Sequence, residues 1–119
     1  MTAAECLELA RQAGDGFQRP INAFLDGFRR ADPVERERMI RDPIPPLGRL
    51  EGLVAAVVSA LCRETELPAP PWVPVTHSPE PFFAFPARSY ALRVRLMLES
   101  PAPFRTRNVF VPENYLSRA

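Results

Sequence analysis

Residues 48–66 read GRLEGLVAAVVSALCRETE. Along this stretch leucine and valine recur every three or four residues, at Leu50, Leu53, Val54, Val57, Val58 and Leu61. Such spacing predicts an α-helix that buries one side. Small alanines lie beside this stripe and allow a second helix to approach closely. We therefore expect residues 48–66 to form the central helix of a hydrophobic core.

Three more helices are predicted before this one. Thr2 can cap a first helix that ends near Ala13, and a second helix has Pro20 in its first turn. A third helix begins at Asp32, an N-cap residue followed by proline, and ends near Arg41 because a proline follows two residues later. The residues expected to face the core are Cys6, Leu9, Ala10 and Ala13 in the first helix and Ile21, Phe24, Leu25 and Phe28 in the second.

Proline is concentrated after the central helix. Fifteen of the 119 residues are proline, and seven of them lie in residues 67–86 together with Trp72 and three phenylalanines. Proline removes a backbone donor, so this proline-rich segment cannot be regular structure over most of its length. Its aromatic rings are nevertheless too many to leave in water. We expect the segment to lie across the helices, with Trp72 as its anchor.

A last helix is predicted from residue 87 to about Ser100, and a short extended piece from Phe104 to Val111 follows it. The residues of this helix expected to face the core are Ala87, Tyr90, Ala91, Val94, Met97 and Leu98. Leu92 and Leu96 lie off that stripe. A helix that is apolar on more than one side is typical of an element buried between layers or of an interface.

Together these elements predict one all-α domain, a compact bundle of four to five helices. Residues 1–66 form the helical scaffold, residues 67–86 the proline-rich segment, and residues 87–119 the last helix and an extended tail. The longest apolar stretch, residues 53–62, is shorter than the roughly 20 residues that cross a membrane. No secretory signal is recognisable at the start, so we expect a cytoplasmic protein with no membrane association.

The sequence contains no recognisable catalytic, metal or cofactor motif. It has no lysine, its glycines are scattered, and His77 is its single histidine. Cys6 and Cys62 each lie among apolar residues, which favours buried thiols over a disulfide or metal ligands. We therefore expect a protein that is not an enzyme and binds no cofactor. The alternative is an enzyme with an unrecognised site, which a deep pocket joining His77 to acids or arginines would favour.

The arginines of the second half are the best candidates for binding. Arg105 and Arg107 alternate along the predicted extended piece, where guanidinium groups could bind carboxylates or phosphates in bidentate fashion. With Arg95, Phe110 and Leu92 they form the predicted interaction site. The other interpretation is that these arginines fix the tail to acids of the body. A net charge of +1 is far below that of an autonomous nucleic-acid binder. An accessory protein that binds nucleic acid is nevertheless the alternative function.

Several blocks of the chain resemble a small bacterial family without an established function. These are LPAPPWV at residues 67–73, the Phe82-Phe83 pair, SPAPFRTRNVFV at 100–111 and FLDGFRRAD at 24–32. The resemblance implies an antitoxin-like protein whose partner is a nucleotidyltransferase-type toxin. It implies no catalytic residues. Binding to a protein partner or homodimerisation through the last helix and tail is therefore the expected function.

Overall fold

The computed structural model describes residues 1–118, which are mostly helical but not purely so. The described residues form seven α-helices, one 3-10 turn (Gly14–Gly16) and two short strands. The helices are α1 (Ala3–Ala13), α2 (Gln18–Arg30), α3 (Pro33–Ile40), α4 (Arg49–Glu64), α5 (Trp72–Val75), α6 (Tyr90–Glu99) and α7 (Ala102–Arg105). The strands are β1 (Phe82–Phe83) and β2 (Val109–Phe110), which pair in parallel.

Helices α1 and α3 begin where their caps were predicted, and α2 has Pro20 in its first turn. Thr2 and Glu5 form a reciprocal capping box at α1, and the Asp32 carboxylate accepts a hydrogen bond from the Glu35 amide at α3. The four predicted residues of α2 are all buried. The predicted face of α1 was partly wrong, because Leu7 is buried while Leu9 is 43% exposed.

Helix α4 is the centre of the core, as its sequence predicts. It packs against α1, α2, α5 and α7, and every residue from Glu51 to Val58 is buried. Gly52 lies against the backbone of the proline-rich segment, where an added Cβ would come within 2.7 Å of the Ser78 nitrogen. Close packing of α4 on that segment therefore requires a glycine at this position.

The proline-rich segment lies on the helices, but it is less extended than predicted. Residues 72–75 form the short helix α5, and the indole N–H of Trp72 donates a hydrogen bond to the Ile40 carbonyl at 2.9 Å. Farther along, His77 forms a bridge with Leu47 that ties the segment to the residues before α4. The anchor role of Trp72 is thus confirmed, and a helical turn is added to the segment.

The prediction of an extended segment from Phe104 to Val111 was wrong for its first half. Residues 102–105 form a helical turn, and only residues 109–110 form a strand. A proline in the first turn of a helix loses no backbone hydrogen bond, so Pro103 is compatible with this turn. Asn108, the last residue of the turn before β2, has a φ of 64°.

The last described residues lie on α2. Arg29 donates to the Leu116 carbonyl at 2.7 Å, and Arg118 forms an ion pair with Asp26 at 3.0 Å. The Tyr115 hydroxyl donates to the Gln18 side chain. Residues 115–118 are thus fixed to the scaffold. Among the described residues, no helix is both long enough and apolar enough to cross a membrane.

Candidate protein-interaction site

Helix α6 carries the candidate site, because its apolar stripe faces outward. Tyr90 is 84% exposed, Leu98 75% and Met97 44%. Val94, one turn from both Tyr90 and Leu98, is half-buried, and Ala91 is exposed. The prediction that this stripe faces the core was wrong for Tyr90, Ala91, Met97 and Leu98, whereas Ala87, before the helix, is buried as predicted. The helix also begins at Tyr90 instead of residue 87, since Ser89 caps it by accepting a hydrogen bond from the Leu92 amide at 3.1 Å.

The opposite side of α6 attaches it to the body. Leu96 is buried and Leu92 is half-buried, and both pack in a small cluster with Ala87, Phe83 and Phe110. This cluster is separate from the main core around α4. Among the described residues, α6 is not packed extensively against any other helix. The position of α6 therefore depends on its contacts with Phe83 of β1 and Phe110 of β2.

Ser100 fixes the end of α6 to β2. Its side chain is buried, and its hydroxyl oxygen accepts a hydrogen bond from the Val111 amide at 2.8 Å. The same hydroxyl lies within hydrogen-bond distance of the Leu96 and Val111 carbonyls. The end of the helix is therefore held in place, and the outward direction of the stripe is defined by the fold.

Two arginines flank the stripe. Arg93 and Arg95 are the chain neighbours of Val94, so each projects about 100° away from it around the helix, one on either side. The Arg93 Nε donates to the Ala87 carbonyl at 2.9 Å, and its guanidinium lies 5.6 Å from the Phe83 ring centre. Arg95 is 76% exposed and lies 3.3 Å from the Glu99 carboxylate. The apolar stripe thus has a basic border on both sides.

The structure places two of the predicted site residues inside the fold. The Arg107 guanidinium is buried and donates to the Val73 carbonyl at 3.0 Å and the Pro103 carbonyl at 2.8 Å. Burial lowers its pKa. Phe110 is also buried, with its ring centre 5.2 Å from that of Phe83. Arg107 thus fixes the tail through backbone carbonyls and not through acids.

The other three predicted residues lie at or near the surface. Arg95 borders the stripe, whereas Leu92 is half-buried on the opposite side of α6, in the cluster that attaches this helix to the body. Arg105 is exposed on α7, and among the described residues no carboxylate lies within ion-pair distance of it. The residues that the sequence analysis missed are the outward ones, Tyr90, Val94, Met97 and Leu98. Their spacing was recognised, but spacing alone does not tell which side of a helix faces the core.

A groove of about 1020 Å³ lies elsewhere on the surface. It runs between the junction of α1 with α2, strand β1 and the C-terminal residues, and is lined among others by Phe17, Gln18, Arg49, Phe85 and Tyr115. The side chains of Tyr115, Gln18 and Asn22 form a hydrogen-bonded row in it. His77 is exposed and is not one of its lining residues. Within residues 1–118, no cluster of His, Cys, Asp or Glu side chains is arranged to hold a metal.

Comparison with known proteins gives no assignment, since no family model, no curated protein and no solved structure matches this chain. The α6 surface and the sequence are therefore the basis for inferring a function.

Proposed function

We propose that this protein is a non-catalytic interaction domain of the bacterial cytoplasm that presents helix α6 to another protein. The observation that supports the proposal is the outward stripe of Tyr90, Val94, Met97 and Leu98. Isolated exposed apolar residues are ordinary on protein surfaces, but a contiguous stripe along one helix is typical of an interface.

The spacing of the stripe fits a known mode of recognition. Tyr90, Val94 and Leu98 are four residues apart, and Met97 lies beside Leu98 on the same side. Amphipathic helices that enter an apolar groove use anchors at such spacings. Burying one exposed leucine contributes about 1.5–3 kcal/mol, so a few anchors are enough to drive association.

The attachment of α6 also suits this role. Since Leu96 packs in the small cluster and Ser100 is bonded to Val111, the helix is already formed and oriented in the free protein. A partner would then bind a preformed helix and would not have to order it. Preorganisation of this kind lowers the entropic cost of association.

The sequence resemblance implies a specific kind of partner. The blocks at residues 67–73 and 100–111 resemble those of a small bacterial family, and this resemblance implies an antitoxin-like role. We propose that the partner is a nucleotidyltransferase-type toxin that this protein neutralises. The second block contains Ser100, Phe110 and Val111, which hold α6 in place. The resemblance and the α6 surface thus concern the same part of the molecule.

The test is affinity purification of the tagged protein from its native cells, followed by mass spectrometry, with two matched variants. Leu98→Gln removes an anchor of the stripe, whereas Val34→Gln changes a residue of similar exposure on α3, 78% against 75%. We expect a nucleotidyltransferase in stoichiometric amount with the wild type and with Val34→Gln. Loss of a well-packed anchor residue weakens binding about tenfold or more, so Leu98→Gln should lose the partner. Equal recovery with both variants would contradict the proposal.

A further inference from the structure

We propose that the α6 stripe is covered by a groove with an acidic rim on a different protein, and not by a second copy of this chain. This inference rests on the proposed function, because it identifies the partner chemistry of the same site. It is drawn from the area of the stripe and from the charges beside it.

The area of the stripe is too small for a homodimer formed through α6 alone. A helix of ten residues is about 15 Å long and about 10 Å wide, so one side of it offers on the order of 150 Å². Two such faces bury a few hundred Å², whereas stable interfaces bury about 1,200–2,000 Å². A groove that encloses the helix on three sides covers more of it. The geometry of α6 therefore favours insertion into a concave partner.

The charges beside the stripe also disfavour pairing with a second copy. Arg93 and Arg95 border it on opposite sides. In an antiparallel pair of α6 helices each arginine would lie near the equivalent arginine of the second copy. In a parallel pair Arg93 would lie near Arg95 of the second copy. Like charges therefore meet in either orientation, and this is unfavourable.

An acidic rim would complement the same two arginines. Glu99 lies 3.3 Å from Arg95, but among the described residues no carboxylate is paired with Arg93. Arg88, just before the cap of α6, adds a further exposed positive charge. Carboxylates around the apolar groove of a partner would therefore attract this surface and set its orientation.

The oligomeric state of the full chain provides the first test. Sedimentation equilibrium on the purified protein, at concentrations up to about 100 μM, should give a monomer. A dimer with a dissociation constant in the low micromolar range that Leu98→Gln dissociates would overturn this inference. It would leave the use of α6 as an interaction surface intact.

Charge reversal at the border provides the second test, made with the full chain and the protein that co-purifies with it. Arg95→Glu should weaken binding about three- to tenfold, because it turns an attraction near the surface into a repulsion. Arg41→Glu, an exposed arginine at the end of α3, is the matched control and should have little effect. Binding by the wild type should also weaken as salt is raised.

The outcomes separate this inference from the proposed function. If Leu98→Gln abolishes binding while Arg95→Glu and salt leave it unchanged, the interaction surface is right and the acidic rim is wrong. If neither variant affects binding, α6 is not the interaction surface and both proposals fail.

Discussion

Substitution of Gly52 by alanine tests how closely the proline-rich segment packs on the central helix. Gly52 lies within α4, where alanine would ordinarily stabilise the helix by about 1 kcal/mol. An added Cβ would, however, lie 2.7 Å from the Ser78 nitrogen and 3.0 Å from the His77 carbonyl carbon. Both are backbone atoms and cannot rotate away as a side chain would. The Gly52→Ala substitution must therefore push the segment and the helix apart.

The cost of this displacement exceeds the gain in helix propensity. Overpacking of a core costs about 1–3 kcal/mol. The same displacement strains the hydrogen bonds from the Gly48 amide to the His77 carbonyl and from the Ser78 amide to the Arg107 carbonyl. Each contributes about 1 kcal/mol. After the helix gain is subtracted, we expect Gly52→Ala to lower the free energy of unfolding by about 2–4 kcal/mol.

The assay is urea denaturation followed by far-UV circular dichroism, with Gly27→Ala as the matched control. Gly27 lies inside α2, and a Cβ there would meet only the Met39 methyl group, at 3.9 Å. This control should raise the free energy of unfolding by about 0.5–1 kcal/mol. If Gly52→Ala is as stable as the wild type or more stable, the segment does not pack on α4 as described.

Three further predictions concern the anchor, the thiols and the surface carboxylates. Trp72→Phe leaves the buried carbonyl at the end of α3 without its donor, so urea denaturation should show a loss of about 2 kcal/mol, and an unchanged midpoint would refute the anchor. Burial raises the pKa of the Cys6 thiol to about 12 and that of Cys62 to about 11, so neither should react with a thiol reagent near pH 8 until the protein is denatured; rapid labelling of the native protein would contradict this. Hydrogen bonds from arginines lower the pKa of Asp26 and Glu35 below their ordinary values of 3.8 and 4.5, so the charged forms favour the folded state and stability should fall as the pH drops below these values. Urea titrations at neutral and acidic pH measure this effect, and a midpoint that rises on acidification would oppose it.

The scaffold could be predicted from sequence because its signals are local. Helix α2 is apolar on one side only, which contains Ile21, Phe24, Leu25 and Phe28. Asp32 followed by proline specifies the start of α3. In α1 the sequence offers both Leu7 and Leu9. The side that packs on α4 buries Leu7, and periodicity alone could not make that choice.

The orientation of α6 could not be predicted, because the helix is apolar on two sides. Leu96 faces the body since it meets Phe83 and Phe110, which are distant in sequence and come together only when β1 pairs with β2. The burial of Arg107 could not be predicted for the same reason, because one of its hydrogen-bond acceptors is the carbonyl of Val73, which is distant in sequence. The sequence therefore identified α6 and Arg95 as candidates but assigned the outward stripe to the core.

The most direct measurement of the central claim, that α6 turns its apolar stripe to solvent, is cysteine accessibility along this helix. Because both native thiols are buried, Leu98→Cys and Leu96→Cys each place one reporter on an otherwise unreactive protein. With a thiol reagent under native conditions, the cysteine at 98 should react at nearly the rate of a free thiol, and the one at 96 should be strongly protected. The reverse order would show that the stripe faces the core and would remove the basis for the proposed interaction site.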